Sequence, residues 1–263
     1  MSRRYFSQID ITTDEVCLSG PEAHHLIHVM RAGIGAEVML FDGTGREFLA
    51  RVVRVGRGEV QLAILAQEKV DRELTMELAL GITLPKGDRQ KWLVEKLVEL
   101  GVTRLFPLVT ERSVARPLPA VLERLQRTVV EASKQCGRNR LMEIAAPQHW
   151  PAFVEAASGF EHRWLAHPAR ERAAGNSSCR PSAIPAPQAE PRRPAGPIVL
   201  AIGPEGGFTD KEVGLAAAAG WQFVDLGPRI LRIETAAILL ASWAILRLNT
   251  SADRPTNELG GVL

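Results

Sequence analysis

"VLAIGPEGGFTDKEV", residues 199–213, joins an apolar run to a helical pattern through a loop that spells Gly203-Pro204-Glu205-Gly206-Gly207. A strand, a glycine-rich turn and a helix in that order let main-chain N–H groups approach a ligand closely at a helix N-terminus. The ligand class stays open at this point. A Walker loop needs GxxxxGK[ST], but residue 208 is Phe and no Lys stands in the required place. A dinucleotide fold gains support from Asp225, which closes the next apolar run about 20 residues on, where a ribose-binding carboxylate belongs. Against it, Pro204 occupies the position that GxGxxG keeps as a free spacer.

The whole chain sets wider limits. Its 263 residues, 46% hydrophobic and 24% charged, fit one large globular domain or two modest ones. Cys17, Cys136 and Cys179 are odd in number, far apart and in no CxxC pair, so neither a disulfide framework nor a zinc site is indicated. The N-terminal "MSRRYFSQID" lacks an apolar signal region, and the run Ala236 to Leu246 falls short of the roughly 20 residues that span a bilayer. These features lead to the expectation of a cytoplasmic protein with no membrane segment and no metal. Net charge is +2, yet residues 104–140 hold 8 Lys/Arg against 3 Asp/Glu, a surplus that fits either a solvated helix face or a footprint for a polyanion.

Residues 36–65 break into three runs rich in β-branched residues, separated by "DGTG" and "GRGE", which predicts an antiparallel meander within a small β-barrel at 1–70. "HHLIHVMR" before it reads as a short helix; His24 and His28 share a face, but no acidic partner completes a metal set. From residue 73 to 250 strands and helices alternate. "LALGITL", "VTRLFPLVT", "PIVLAIG" and "WQFVDLG" read as strands. "DRQKWLVEKLVELG", with Trp92, Leu93, Leu97 and Leu100 at helical spacing, "LPAVLERLQRTVVEASKQCG" and "DKEVGLAAAAG" read as helices, and "ETAAILLASWAILRL" closes as a strongly apolar one. The fold class expected is therefore α/β with a mainly parallel sheet. Residues 168–197 interrupt it with seven prolines and nothing periodic, which predicts a disordered surface insertion, and 251–263 reads as a flexible tail.

The decisive partner of the first loop is "LGPRILRIETAAI", residues 226–238, a second glycine-bearing turn into a helix. Together "GPEGGFTDKE" and "LGPRILRIETA" resemble the two signature loops of SPOUT-class RNA methyltransferases, and within them of the RsmE family, which methylates N3 of a uridine in 16S ribosomal RNA. "LPKGDRQKWLVEKLVELGV", "ERSV", "EASKQCGRN", "RRYF", "HHLIHVMR" and "FDGTG" resemble the same family, so the likeness covers nearly the full chain, the Pro-rich insertion excepted. It implies a C-terminal trefoil-knot domain, a PUA-like N-terminal barrel that binds RNA, a homodimer through knot helices, and the small ribosomal subunit or its RNA as partner. S-adenosylmethionine would lie bent among Leu84 to Gly87, Ile202 to Gly207 and Leu226 to Leu231. The cofactor-binding candidates are Leu84, Leu200, Ile202, Gly203, Pro204, Glu205, Gly206, Leu226, Gly227, Ile230, Leu231 and Thr235.

Adenine can pair with main-chain amides and carbonyls, so glycines that permit close approach matter more there than charged side chains. Uridine N3 carries a proton, and the site must remove it or stabilise the charge that forms on the ring oxygens. Arg232 is the candidate for the electrostatic role. Glu234 is the candidate base, with an equal reading as partner of a helix dipole. The RNA-facing candidates are Arg3, Arg4, His24, His25 and Arg31 in the barrel, Arg112 and Arg138 in the basic segment, and Arg229 in the second loop. Two other classes stay in view: a Rossmann-type nucleotide-dependent oxidoreductase resting on Asp225, and a non-catalytic RNA-binding protein resting on the barrel and the basic segment.

Overall fold

The computed structural model describes residues 4–113, 117–168, 182–183 and 196–249. Arg3, Cys179, most of the 168–197 insertion and the 251–263 tail lie outside the described residues. Along the chain come β1 (Arg4–Phe6), β2 (Glu15–Ser19), α1 (Gly20–His24) running into a π-helical turn (His25–Val29), β3 (Glu37–Phe41), β4 (Glu47–Val55), β5 (Glu59–Glu68) and β6 (Leu78–Ile82). Then follow α2 (Arg89–Glu99), β7 (Arg104–Val109), α3 (Pro119–Cys136), β8 (Glu143–Ile144), β9 (Gln148–His149), α4 (Trp150–Ala156) and β10 (His162–Ala166). The chain closes with β11 (Ser182–Ala183), β12 (Ile198–Ile202), α5 (Asp210–Ala218), β13 (Gln222–Asp225) and α6 (Ile233–Asn249).

Contacts divide the chain into two units that do not follow sequence order: Met1–Leu74, Leu84–Pro107 and Ala115–Pro147 in the first, Thr75–Thr83, Leu108–Val114 and Gln148–Leu263 in the second. In the first unit a five-stranded sheet runs β1-β3-β4-β5-β2, with β1 parallel to β3 and the other pairs antiparallel. Alternate residues turn inward, as a half-buried strand requires: Val38 and Leu40, then Phe48, Ala50 and Val52, then Val60 and Leu62. Register shifts at Leu49/Ala50 and Val52/Arg54 give β4 the irregularity that lets such a strand bend. Helix α2 buries Leu93, Val94, Leu97 and Val98. Trp92, expected in that stripe, is 45% exposed, because the buried face is centred one residue further along the helix.

Ion pairs inside this unit account for several of its basic residues. Arg138 is buried; its Nε and Nη2 donate to Glu73 at 3.1 and 2.5 Å, and its Nη1 donates to the carbonyls of Val98 and Val102 at 3.0 and 2.9 Å. Arg4 donates to Glu47 at 2.6 Å and to Asn139 Oδ1 at 2.5 Å, and Arg72 reaches the same Glu47 at 3.0 Å. Burial alone would raise the Glu47 carboxyl, but the hydrogen bonds and charges of Arg72 and Arg4 outweigh it and hold it below the usual carboxylate range. Lys134 is likewise buried; burial would lower its pKa, and Glu22 and Glu131, at 2.8 and 3.1 Å, hold it above the ordinary value instead. Arg4 and Arg138 are thus corrected from RNA-facing residues to internal ties, since a desolvated guanidinium persists only where carboxylates and carbonyls pair it.

In the second unit the parallel strands lie in the order β11-β13-β10-β12-β6. All five residues of β6 and all five of β12 are buried, which explains their unbroken apolar runs. Strand β10, "HRWLA", lies between β12 and β13, so the two strands that flank α5 in sequence are not neighbours in space. Its short run, opened by His and Arg, gives little strand signal. Trp150, Phe153, Phe208 and Trp221 form an aromatic cluster with ring centroids 4.4–5.9 Å apart. Helix α6 packs on β12, burying Ile233, Ala236, Ala237, Leu240, Ala241 and Ala244, while Leu239 and Leu246 stay exposed. Among the described residues no helix is long and apolar enough to cross a membrane.

Replacing Arg138 by Ala strands the Glu73 carboxylate and removes a donor from the Val98 and Val102 carbonyls, of which Val98 keeps the Gly101 N–H. A loss of about 3–5 kcal/mol in folding stability is expected, measured by urea denaturation against the parent chain.

Candidate functional site

Parallel strands end at one edge of their sheet, and the two signature loops leave β12 and β13 at that edge, where open α/β sheets place ligands. Thr83 leaves β6 there too; its N–H donates to the Ile202 carbonyl at 3.3 Å. Leu84, the next residue, belongs to the first unit.

The first loop is built by close contacts. Strand β12 stops at Gly203, where a Cβ would stand 2.9 Å from Cδ2 and Cε2 of Phe208. Phe208 is buried and stacks on Trp150, so its ring lies wedged between the end of the strand and the aromatic cluster. The Gly207 N–H returns to the Pro204 carbonyl at 2.8 Å, and Gly207 itself has φ +68°, a value that suits glycine. Helix α5 then starts in a capping box. Thr209 Oγ1 accepts the Glu212 N–H at 3.3 Å, while Glu212 Oε2 accepts from the Thr209 N–H and hydroxyl at 2.8 and 3.2 Å. The other carboxylate oxygen, Oε1, accepts the Glu111 N–H at 2.9 Å. Arg112 Nη1 donates to the Gly206 carbonyl at 2.6 Å.

The second loop is shaped by Asp225, whose Oδ1 accepts the Gly227 N–H at 2.9 Å; Gly227 has φ +107°. The carboxylate that favoured a ribose reading is therefore engaged in forming its own turn. Gly227, Arg229, Ile230 and Arg232 are exposed, with Ile230 at 99%, and Leu226 and Leu231 are half-buried. The Arg232 carbonyl accepts the Ala236 N–H at 2.9 Å, which starts α6. Thr235 is exposed, and Glu234 is buried in the first turn of α6.

The remaining candidates sort by burial. Glu205 and Gly206 are exposed, while Ile202 and Pro204 are buried at the loop's root. Leu200 is corrected: it has no exposed surface and sits mid-strand between Trp164 and Leu80, so it is a core residue rather than a ligand contact. His24 and Arg31 are exposed on the first unit, His24 with its ring 4.7 Å from that of His28, and Arg31 with φ +52° just past the π-helical turn. His25 is half-buried, 5.7 Å from the Tyr5 ring. Sequence reasoning missed Phe208, Thr209 and Glu212, although Thr-x-x-Glu before a helical pattern is a legible capping signal.

A family model described as an RNA methyltransferase domain matches residues 72–245, and one described as an RNA methyltransferase PUA domain matches 18–65. The ribosomal RNA small subunit methyltransferase E of Synechocystis sp. is 38% identical over 222 residues, covering 84% of this chain and 69% of the relative. This chain belongs to the RsmE family. Another RsmE protein, that of Bacillus subtilis, is 26% identical, with 91% of this chain and 94% of the relative covered. The crystal structure of RsmE from Neisseria gonorrhoeae bound to S-adenosyl methionine superposes with a TM-score of 0.77 at 28% identity, over 92% of this chain and 96% of that one.

Gly203→Ala tests the geometry of the first RsmE loop. The added methyl would have to displace a ring that is itself wedged against Trp150, at a cost of about 1–3 kcal/mol. A lower melting temperature and an altered near-ultraviolet signal from Trp150 are expected in circular dichroism.

Proposed function

We propose that this chain transfers the methyl group of S-adenosylmethionine to N3 of a uridine in small-subunit ribosomal RNA. Membership of the RsmE family supports the reaction class, and the observation that carries the site is the pair of loops at one sheet edge. The residues present fit a nucleoside ligand held by main-chain groups. Gly203 and Gly227 stand where a side chain is excluded by Phe208 or by backbone conformation, and both loop turns are closed by hydrogen bonds of their own. Ile202, Pro204, Glu205, Gly206, Leu226, Ile230, Leu231 and Thr235 belong to the same two loops and the helix start beside them. When bound, the donor supplies an electrophilic sulfonium methyl.

The chain's task is then to present N3 in line with that methyl and to manage the imide proton. Arg232, exposed at the start of α6, is the group that can stabilise negative charge on the uridine oxygens as N3 loses its proton. Glu234 fits better as an N-terminal partner of α6 than as base, because a base must reach the proton it removes and Glu234 is 6% exposed. A uridine inside a duplex cannot reach the loops, so the target base is read from a loop or splayed out. Arg229 is the phosphate or base contact beside the site. His24, His25 and Arg31 form the RNA-facing set of the PUA-like unit.

Replacing Arg232 by Ala is expected to slow methyl transfer about 100-fold or more with little change in donor affinity, measured by tritium transfer to small subunits and by titration calorimetry. Equal losses in both would overturn the role. Product at cytosine, or at another uridine atom, would overturn the assignment to N3.

The homodimer and the knotted threading go with the same reading, in the cytoplasm. Leu239, 37% exposed, and Leu246, 65% exposed, leave one side of α6 uncovered, as a helix seated on a second copy requires. Leu246→Glu should shift the mass measured by light scattering from dimer toward monomer; an unchanged dimer would exclude α6 as the contact.

A further inference from the structure

The turn Thr110–Ser113 follows β7 and carries Glu111 and Arg112, residues for which the reaction as described has no use. The turn is closed on itself. The Thr110 N–H donates to Ser113 Oγ at 2.8 Å, the Ser113 N–H donates to the Thr110 carbonyl at 3.1 Å, and the two hydroxyls meet at 2.8 Å. Two successive residues of this stiffened turn then reach the glycine loop and the first turn of the helix that follows it: the Glu111 N–H binds Glu212 Oε1, and the Arg112 guanidinium binds the Gly206 carbonyl. We infer that the Thr110–Ser113 turn is a bracket that holds the glycine loop in its donor-binding form, with Arg112 and Glu212 as its positioning residues; this rests on the methyl-donor reading of that loop.

The peptide joining Gly206 to Gly207 shows why the bracket matters. Its carbonyl is held by Arg112 and its N–H by the Pro204 carbonyl, so the whole plane is fixed from both sides. A Cβ on Gly206 would lie 3.4 Å from Arg112 Cδ, so the arginine stem runs along the glycine as well. Glycines give a loop freedom it must lose before main-chain groups can recognise a ligand, and recognition tolerates displacements of only about 0.5 Å. Glu212 fixes the helix start that follows. One buried carboxylate takes three donors, two from its own N-cap residue and one from the bracket, so removing its charge weakens the cap and the cross-link together. Trp150 secures the same residue through its indole N–H, which donates to the Glu212 carbonyl at 3.0 Å. Arg112, expected among the RNA contacts, is thereby reassigned to the donor side of the reaction.

The test compares the full chain with Arg112→Ala, Arg112→Lys and Glu212→Gln in three measurements: calorimetric titration with S-adenosylmethionine, filter binding of 16S ribosomal RNA, and amide hydrogen exchange of residues 110–113 and 203–212. Arg112→Ala should weaken donor binding about tenfold, equivalent to about 1.4 kcal/mol. It should also speed exchange at Gly206 to Phe208 and leave RNA affinity and melting temperature at parent values. Arg112→Lys, which keeps a donor on a similar stem, should recover part of the affinity. Glu212→Gln should extend the faster exchange to Thr209 and Glu111. Donor affinity unchanged in both Arg112→Ala and Glu212→Gln would overturn the bracket, as would an Arg112→Ala that loses RNA affinity while binding donor normally. A parent chain that binds no donor sinks the methyl-donor reading and the positioning role with it, and is recognised before any variant is compared.

Discussion

A peptide group that leaves a buried strand still needs a hydrogen-bond partner, and the carboxyl end of β12 is where this chain meets that requirement. Up to Ala201 the neighbours β10 and β6 supply partners on both sides, and β6 continues to Ile202. Beyond Gly203 neither strand can, and unpaired main-chain groups at a sheet edge are costly unless something takes them up. Here the partners come from the loop's own turn, from the capping box of α5 and from the Thr110–Ser113 turn. Phe208 closes the arrangement from beneath, with Gly203 as the only residue type that permits its approach. The groups left over at the loop's outer face are the ones a ligand can use.

Charge in the first unit is arranged by the same logic of pairing. The surplus of basic residues between 104 and 140 reads in sequence as a surface that attracts polyanions. Part of it is taken up within the chain: Arg138 and Lys134 are buried, and on the surface Arg104 pairs with Glu143 at 2.9 Å. Arg4 and Arg72 converge on Glu47 in the same way. A partner of opposite charge therefore meets a smaller set of basic groups than the sequence count implies. The exposed histidines and Arg31 beyond α1, where the backbone adopts a π-helical turn and a left-handed residue, are the more open part of that set.

The α/β class, both signature loops, the three-strand meander and the apolar closing helix were legible because each rests on local pattern: alternation, helical spacing, or glycine beside proline. What was not legible depends on partners distant in sequence. Glu73 is what turns Arg138 from a surface cation into a core residue, and it lies 65 positions away. Strand β10 is too short to declare itself, and only its two neighbours make it the strand between β12 and β13. Trp92 fits a helical stripe by spacing, yet α2 turns the adjacent stripe inward. Leu200 stands three residues before the loop in sequence, whereas burial on both faces of β12 removes its side chain from any ligand.

Both loops are shaped by carboxylates that accept main-chain N–H groups: Glu212 from Thr209 and Glu111, Asp225 from Gly227. That device decides between ligand classes that glycine content leaves open. A phosphate cradle works by offering such N–H groups, unsatisfied, to an anion. Here protein carboxylates already take the Thr209 and Gly227 N–H groups, and a second anion brought within a few ångströms of them would meet like charge, disfavoured by about 1 kcal/mol or more even at water's dielectric. Exposed Glu205 adds an acidic group within the first loop itself. A ligand with a neutral adenosine and a sulfonium cation, whose amino-acid carboxylate is balanced by its own ammonium group, has a net positive charge, and the negative side chains around the loops favour it. In the proposed reading the glycines make room for the methyl donor, and the acidic residues that pin their backbone disfavour a pyrophosphate in the same place.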